Sequence, residues 1–264
     1  MLREVIASPP RFLRLAGHPL RWRLLSELAH SDRRVGELCL LAGRRQSLVS
    51  YHLRQLHDGH LVVKRRSTAD GRDAYYAVDL RRCRSDLHTS VAALHPGLWS
   101  PSSPLSPPPP PTTSRRRPRA LFLCTGNSAR SPMAEALAQH LSAGSISAAS
   151  AGSDPKPLHP NAVKVMQRRG IDISTHRARQ LDELASQRFD VVVTLCDRVR
   201  EVCPEFPSGP ELVHWSIPDP SLEGSTLRAS YPAFERTASE IQTRVGFLLD
   251  ALTHASSQRS SDHE

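Results

Sequence analysis

The sequence predicts two domains of different fold class: a winged helix-turn-helix, mainly α with a β wing, followed by an α/β domain with a three-layer parallel sheet. Three observations carry this. Residues 101–118, with Ser-Pro repeats and a five-proline run at 107–111, cannot build a core and divide the 264 residues into two lengths that can each fold. Ahead of that stretch, helical periodicity gives way to two short strands around a basic turn. Behind it, apolar strands alternate with helical segments, the pattern of a parallel sheet. The expected boundaries are 1–98 for the first domain, 99–118 for a semi-rigid linker, 119–254 for the second domain and 255–264 for a disordered tail.

The net charge of +9 is unevenly spread. Residues 1–100 hold 17 Lys/Arg against 9 Asp/Glu, residues 101–119 add four arginines, and residues 120–264 hold 14 Lys/Arg against 17 Asp/Glu. The front domain therefore suits a polyanion and the back domain does not. No run approaches the roughly 20 apolar residues of a membrane span. The basic N-terminus lacks the apolar stretch of a signal peptide, so the reading is cytoplasmic, with no membrane partner. Five cysteines, an odd number without a dense framework, read as reactive or free thiols in a reducing compartment.

In the front domain, Leu13, Leu15, Leu20, Trp22, Leu24, Leu25 and Leu28 fit one or two amphipathic helices near residues 11–29. Residues 35–42 form the next helix, ended by Gly43. Ser47 precedes another at 48–56, whose apolar set is Leu48, Val49, Leu53 and Leu56. Strands at 61–63 and 74–78 flank a basic hairpin tip, 64–72, with an Asp70-Gly71 turn signal. Residues 80–95 supply one further helix. This arrangement places Gln46, Ser47, Ser50, Tyr51, His52 and Arg54 toward the major groove of double-stranded DNA, with packing as the alternative for Tyr51 and His52. Lys64, Arg65, Arg66 and Arg72 would lie against phosphates or the minor groove.

Residues 13–80 resemble the ArsR/SmtB family of metal- and metalloid-responsive repressors. The resemblance is carried by Leu20-Arg21-Trp22-Arg23-Leu24-Leu25, Val35-Gly36-Glu37-Leu38, Ser50-Tyr51-His52-Leu53-Arg54-Gln55-Leu56, Gly59-His60-Leu61-Val62 and Tyr75-Tyr76. It implies a homodimer that releases DNA when a metal or arsenite binds. One arsenite site of that family uses two cysteines in the helix before the recognition helix, and only Cys39 matches here. Cys39 and Cys83 are weak ligand candidates, since a soft trivalent ion wants two or three thiolates. Small core filler is the favoured reading of both, because free cysteine is among the most buried residue types.

In the back domain, strands are expected at 120–123, 146–151, 189–195 and 214–217, and helices at 132–141, 160–169 and 231–252. The first strand delivers Cys124 into the loop Cys124-Thr125-Gly126-Asn127-Ser128-Ala129-Arg130-Ser131 at the carboxyl end of the sheet, where such folds bind ligands. Successive backbone N–H groups from Thr125 to Arg130 form an anion nest, the following helix adds its positive end, and Arg130 offers a planar fork for a tetrahedral oxyanion. The same surroundings favour Cys124 as a nucleophilic thiolate. Gly126 permits the tight turn, Asn127 can brace it, and Ser131 can donate to the sulfur. Asp219, before Pro220, can protonate a leaving oxygen from a loop over the nest.

Residues 119–252 resemble the low-molecular-weight tyrosine phosphatase fold, through the Cys124 loop, Ser150-Ala151-Gly152, the 190–195 strand and Asp219-Pro220. By that resemblance Cys124 attacks in line and Asp219 is the general acid. Cys196 and Cys203 point to a different member of the fold. Water suffices to cleave a phosphatase's cysteinyl intermediate, whereas reduction of a Cys124-bound arsenate needs a second thiolate to attack the sulfur and a third to take over the disulfide. Thr194-Leu195-Cys196, Cys203-Pro204 and His214-Trp215 before Asp219-Pro220 resemble the thioredoxin-coupled arsenate reductases. That resemblance implies a first disulfide between Cys124 and Cys196, its transfer to Cys203, and reduction of the Cys196–Cys203 pair by thioredoxin. A mycothiol-coupled branch lacks the relay pair and fits less well. Ala129 stands where the family's loops often carry cysteine, and Pro132 where glutamine is common. No tightly bound cofactor is implied. The preferred reading is thus an arsenate reductase fused to an arsenic-responsive repressor domain. The alternatives are a protein-tyrosine phosphatase fused to a DNA-binding regulator, and a non-enzymatic oxyanion sensor.

Overall fold

The computed structural model describes residues 8–69, 71–94, 117–207 and 209–261, for 253–261 the backbone alone. The proline run, the Arg115–Arg116 pair and Asp70 of the wing turn lie outside the described residues. The chain divides into two compact units.

In the front unit, α1 (Arg11–Ala16) and α2 (Pro19–His30) are the two amphipathic segments read from the leucine spacing. Pro19 opens α2 behind His18, whose Nδ1 accepts the Leu20 N–H at 3.2 Å. A proline at that position gives up a hydrogen bond the helix cannot make there. A two-residue strand, β1 (Arg33–Arg34), leads into α3 (Val35–Ala42). Gly43, at φ 61°, closes α3 in the left-handed conformation that suits glycine. Then come α4 (Gln46–Asp58), β2 (Val62–Arg66), β3 (Ala74–Val78) and α5 (Leu80–Leu94). The sheet is antiparallel in the order β1-β3-β2, with Lys64 opposite Tyr76. β1 was not foreseen, for two arginines carry no strand pattern.

Helix α4 buries Val49, His52, Leu53 and Leu56, the i, i+3, i+4, i+7 stripe, against Leu24, Leu28, Leu38 and Leu61. Leu48, expected in that stripe, is exposed, because it falls outside the arc the other four define. Leu13 and Trp22 are likewise exposed.

The back unit carries β4 (Arg119–Cys124), α6 (Arg130–Leu141), β5 (Ser147–Gly152), α7 (Pro160–Gln167), α8 (Asp182–Ala185), β6 (Val191–Thr194), α9 (Asp197–Glu201), β7 (Glu211–His214), a 3-10 turn at Pro220–Leu222 and α10 (Leu227–Ser261). The four strands are parallel in the order β5-β4-β6-β7, and the domain is the expected three-layer α/β fold. Leu121, Phe122 and Leu123 of β4 and Val191, Val192 and Val193 of β6 are wholly buried, as continuous apolar strands covered on both faces must be. Helix α10 packs on α6 and α7 and fills the core with Phe234, Ile241 and Val245. Because β5 and β6 flank β4 on opposite sides, the chain reverses direction across the sheet beside Cys124, and a crevice opens there.

Two expectations shift. The last strand is Glu211–His214 rather than 214–217: it pairs with β6 from Val191 to Thr194, so its pairing ends where β6 ends. Helix α10 is longer at both ends than 231–252 and continues through the stretch expected to be a disordered tail as far as Ser261. Beyond Gly246 there is neither glycine nor proline to stop it.

Phe234 has no exposed surface. We expect Phe234→Ala to cost about 3–5 kcal/mol, seen as a lower urea midpoint for the back unit's unfolding by circular dichroism.

Candidate active site

The loop between β4 and α6 is held from outside. The backbone N–H groups of Asp154, Lys156 and His159 donate to the carbonyls of Thr125, Gly126 and Ser128 at 2.9, 2.8 and 2.9 Å. A planar peptide whose carbonyl is drawn outward turns its N–H the other way, which is what an anion nest requires. The left-handed residue of the turn is Asn127, at φ 42°, and not Gly126. Asparagine tolerates that conformation, and its amide is tied at both ends. Oδ1 accepts from Arg179 N at 2.8 Å and faces His176 Nε2 at 3.3 Å, while Nδ2 donates to Ser131 Oγ and Ser150 Oγ, each at 2.9 Å. Gly152 lies beneath: a Cβ there would stand 2.5 Å from the Thr125 carbonyl oxygen and 2.8 Å from Asn127 N.

Cys124 Sγ, almost fully buried, is 3.0 Å from Ser131 Oγ. Arg130 is 5% exposed; its Nη1 donates to Ile217 O at 2.9 Å and its Nη2 to Asp219 Oδ2 at 2.6 Å. Burial works against the guanidinium charge, but the sulfurs of Cys124 and Cys196 and the Asp219 carboxylate outweigh it and hold the Arg130 pKa above its ordinary value. Burial would push Asp219 up; the Arg130 charge and hydrogen bonds from Ser221 win and hold it below the usual carboxylate range. Cys196 stands just before the short α9, with its Sγ 3.3 Å from Thr125 Oγ1. Cys124, Thr125, Arg130, Lys156, Cys196, Arg198 and Asp219 line one cavity of about 220 Å³. Cys203 is half-buried against the core, where burial pushes its thiol up to about 11. Cys124, Arg130, Asp219 and Cys196 are thus brought together as read from the sequence, with Cys203 set back from them.

Sequence reasoning missed Glu135, His176 and Arg179. Glu135 Oε2 accepts from Ser150 Oγ at 2.6 Å and from Arg179 Nη2 at 2.9 Å. The available signal was a carboxylate one helical turn after Ser131, on the face α6 turns to the sheet. It also missed a buried pair behind Cys196: His214 Nε2 is 3.1 Å from Asp197 Oδ1, and Thr194 Oγ1 is 2.8 Å from His214 Nδ1.

Residues 119–258, more than half of the chain, match the family model for low molecular weight phosphotyrosine protein phosphatase. The chain belongs to that family. Over 124 residues it is 41% identical to the arsenate reductase of Halalkalibacterium halodurans, which takes in 47% of this chain and 89% of that relative. The arsenate reductase of Bacillus subtilis is 39% identical over the same length and shares. Among solved structures, a low molecular weight protein tyrosine phosphatase from T. tengcongensis aligns at 28% identity over 51% of this chain and 99% of its own, with a TM-score of 0.44. The back unit of this phosphatase-family chain is an enzyme domain of the fold that these phosphatases and arsenate reductases share.

Residues 18–73 match the MarR family model, which corrects the ArsR/SmtB resemblance. The quoted motifs report core leucines and turn glycines of a winged helix, and those positions recur wherever two helices and a hairpin pack this way. The arsenite-site reading of Cys39 and Cys83 loses its basis. Both are free and pack on the front core, and burial pushes the Cys83 thiol up to about 12. No group of three His, Cys, Asp or Glu side chains among the described residues is placed to hold a metal ion, and no helix among them is long and apolar enough to cross a membrane.

On α4, Gln46, Ser47, Tyr51 and Arg54 are exposed and Ser50 is half-exposed, whereas His52 is buried with its ring 4.3 Å from that of His18. His52 is therefore a core residue and not a groove reader: it lies on the stripe shared by Val49, Leu53 and Leu56. Lys64 and Arg66 on β2 and Arg72 beyond it are exposed, and Arg65 is half-exposed.

Burial tends to raise the Asp197 carboxyl, but hydrogen bonds led by that from His214 hold it at about 2. Its stabilisation is complete above the ordinary carboxylate value of 3.8 and is lost as pH falls through about 2. We expect Asp197→Asn to be less stable at neutral pH and to lose less on acidification across that window. Unfolding midpoints measured against pH check this, and equal pH slopes for the two chains would refute it.

Proposed function

We propose that the back unit reduces arsenate to arsenite through Cys124, Cys196 and Cys203, and that the front unit binds double-stranded DNA as a homodimer. One observation carries the reductase reading: a second thiol, Cys196, lines the same cavity as Cys124 and meets the loop at Thr125. The mouth adds support. It presents Lys156 and Arg198, which suit a compact dianion. Phe206 and Trp215, the rings available for stacking on an aryl substrate, are instead buried against Phe189 and Phe122.

Arsenate oxygens would sit on the loop N–H groups and on the Arg130 fork. That draws the guanidinium from Asp219 and leaves the carboxylate beside negative charge, where it takes up a proton. Asp219 can then protonate the departing oxygen as the Cys124 sulfur bonds to arsenic. Cys196 thiolate attacks the Cys124 sulfur: the S–S bond forms, the S–As bond breaks, and its electron pair stays on arsenic. Two sulfurs are oxidised, and As(V) leaves as arsenite. Cys203 then displaces Cys124 from the Cys196 sulfur, and thioredoxin, rather than mycothiol, reduces the resulting pair. Bridging Cys196 and Cys203 requires Cα atoms within about 7 Å, so α9 between them would have to open, which would also relieve the burial that holds Cys203 protonated.

The family membership favours one second reading, phosphoester hydrolysis with water in place of Cys196. We expect Cys196→Ser and Cys203→Ser each to reduce thioredoxin-coupled arsenate turnover to background while hydrolysis of p-nitrophenyl phosphate persists. Arsenate turnover that survives either change would overturn the relay, and a parent chain that hydrolyses p-nitrophenyl phosphate with no thioredoxin-coupled arsenate turnover would favour the phosphatase.

For the front unit, the exposed face of α4 and the basic wing support DNA contact. Arg54→Ala should relax base preference in sites selected from a random duplex pool. Lys64→Ala and Arg66→Ala should instead weaken all sequences alike, each lowering the salt slope of binding by about one; fluorescence anisotropy across salt concentrations reads both effects.

A further inference from the structure

The segment between Cys196 and Cys203 carries a charge as well as two thiols. Three cations line the cavity at Cys124: Arg130, Lys156 and Arg198. Arg130 is committed to the Ile217 carbonyl and Asp219. Lys156 has its Nζ 3.5 Å from Asp154 Oδ2. Among the described residues Arg198 has neither a hydrogen-bond nor an ion-pair partner, and its guanidinium is a planar fork suited to a tetrahedral oxyanion. It stands on α9, two residues after Cys196. Helix α9 has five residues, little more than one turn, so it unwinds as a unit. Asp197 anchors its start to His214 at 3.1 Å. Beyond that anchor Val199 is wholly buried, Val202 is 59% exposed and Cys203 is half-buried. A segment with so few buried contacts opens locally, and Arg198 leaves the cavity when it does.

We propose that Arg198 binds the substrate oxyanion and thereby latches α9, keeping Cys203 covered until the anion's charge has left the cavity. The proposal rests on the reductase reading in taking Cys203 as the thiol that must emerge. Arsenate on the Cys124 loop is an anion, and Arg198 can bond to it only while α9 is wound. Once the Cys196 thiolate has attacked the Cys124 sulfur, the S–As electron pair stays on arsenic and the product departs as arsenous acid, uncharged near neutral pH. Arg198 then has nothing to hold. Helix α9 opens, and Cys203 escapes the burial that keeps its thiol up at about 11. It gives its proton to water and displaces Cys124 from the Cys196 sulfur. The latch thus orders the relay: the third thiol is released by the reduction itself.

The test needs binding and no turnover, so the latch and the reductase reading fail separately. Inorganic phosphate stands in for arsenate, since it offers the same tetrahedral anion and is not reduced by thiols. The reduced full-length chain is briefly alkylated with iodoacetamide at fixed pH, and the Cys124 and Cys203 peptides are quantified by mass spectrometry. Phosphate should slow Cys124 by covering it. It should slow Cys203 about fivefold by holding α9 shut, the lower end of coupling between two sites. In Arg198→Gln, phosphate should still protect Cys124, at about fivefold higher concentration because coupling is reciprocal, but should leave Cys203 as reactive as without it. Lys156→Gln removes a charge from the same cavity but from outside α9. At phosphate concentrations that saturate Cys124 protection, it should keep the Cys203 effect. The latch is overturned if phosphate leaves Cys203 unaffected in the parent, if Cys203 protection survives Arg198→Gln or is lost in Lys156→Gln, or if Arg198→Gln abolishes Cys124 protection altogether.

Discussion

A buried guanidinium ties the catalytic unit together. Arg130 opens α6, yet its side chain reaches the segment after β7, bonding to the Ile217 carbonyl and the Asp219 carboxylate. Taking an arginine out of water is costly unless its donors are met and its charge is balanced. Here the balancing groups are the sulfurs of Cys124 and Cys196 and the carboxylates of Asp219 and Asp197, all at or just beyond the carboxyl ends of parallel strands. The need to satisfy Arg130 therefore draws the β4 loop, the start of α9 and the Asp219 turn to a common point. On the proposed mechanism a substrate oxyanion would replace Asp219 as a partner of that fork.

Much of this was legible because the relevant signals are local. Cys124 six residues before Arg130, after an apolar strand and before a helix, has few structural outcomes, and the strand, loop and helix appear where the spacing put them. The Val35–Ala42 and Ala74–Val78 elements came out residue for residue, each bounded by a turn glycine or by hairpin pairing. Legibility fails where a side chain's role depends on residues far along the chain. Glu135, His176 and Arg179 meet around Asn127 only once β5 and the 176–180 segment are laid beside the loop. No periodicity announces such a meeting. The same holds for β7, whose ends are set by pairing with β6 and not by its own apolar residues.

His52 and Leu48 show how fine that limit is. They are four residues apart on one helix, and hydropathy assigns the leucine inward and the histidine outward. The packed stripe runs through Val49, Leu53 and Leu56, and at about 100° per residue Leu48 and His52 stand only about 40° apart round the helix, a small rotation that decides which of them joins it. His52 does, against His18, and burial with nearby positive charge keeps its imidazole pKa below the usual value. Neutral histidine is an acceptable core residue on those terms. Leu48 shares the exposed surface of α4 with Ser47, Tyr51 and Arg54, the side that the proposed DNA contact would use.

The second thiol separates the two chemistries this fold supports. Cys196 is as buried as Cys124, and burial by itself would make it an ordinary core cysteine. Its surroundings are not ordinary core. Thr125 from the loop meets its sulfur, the Arg130 guanidinium lies near it, and Asp197 immediately after it is anchored to His214 in a buried pair. That anchor fixes the start of α9, a helix of five residues that ends at Glu201, two residues before half-buried Cys203. On the proposed relay, the anchored start would hold the Cys196 sulfur near Cys124 while the short segment beyond it lets Cys203 approach. A hydrolytic site has no use for that asymmetry.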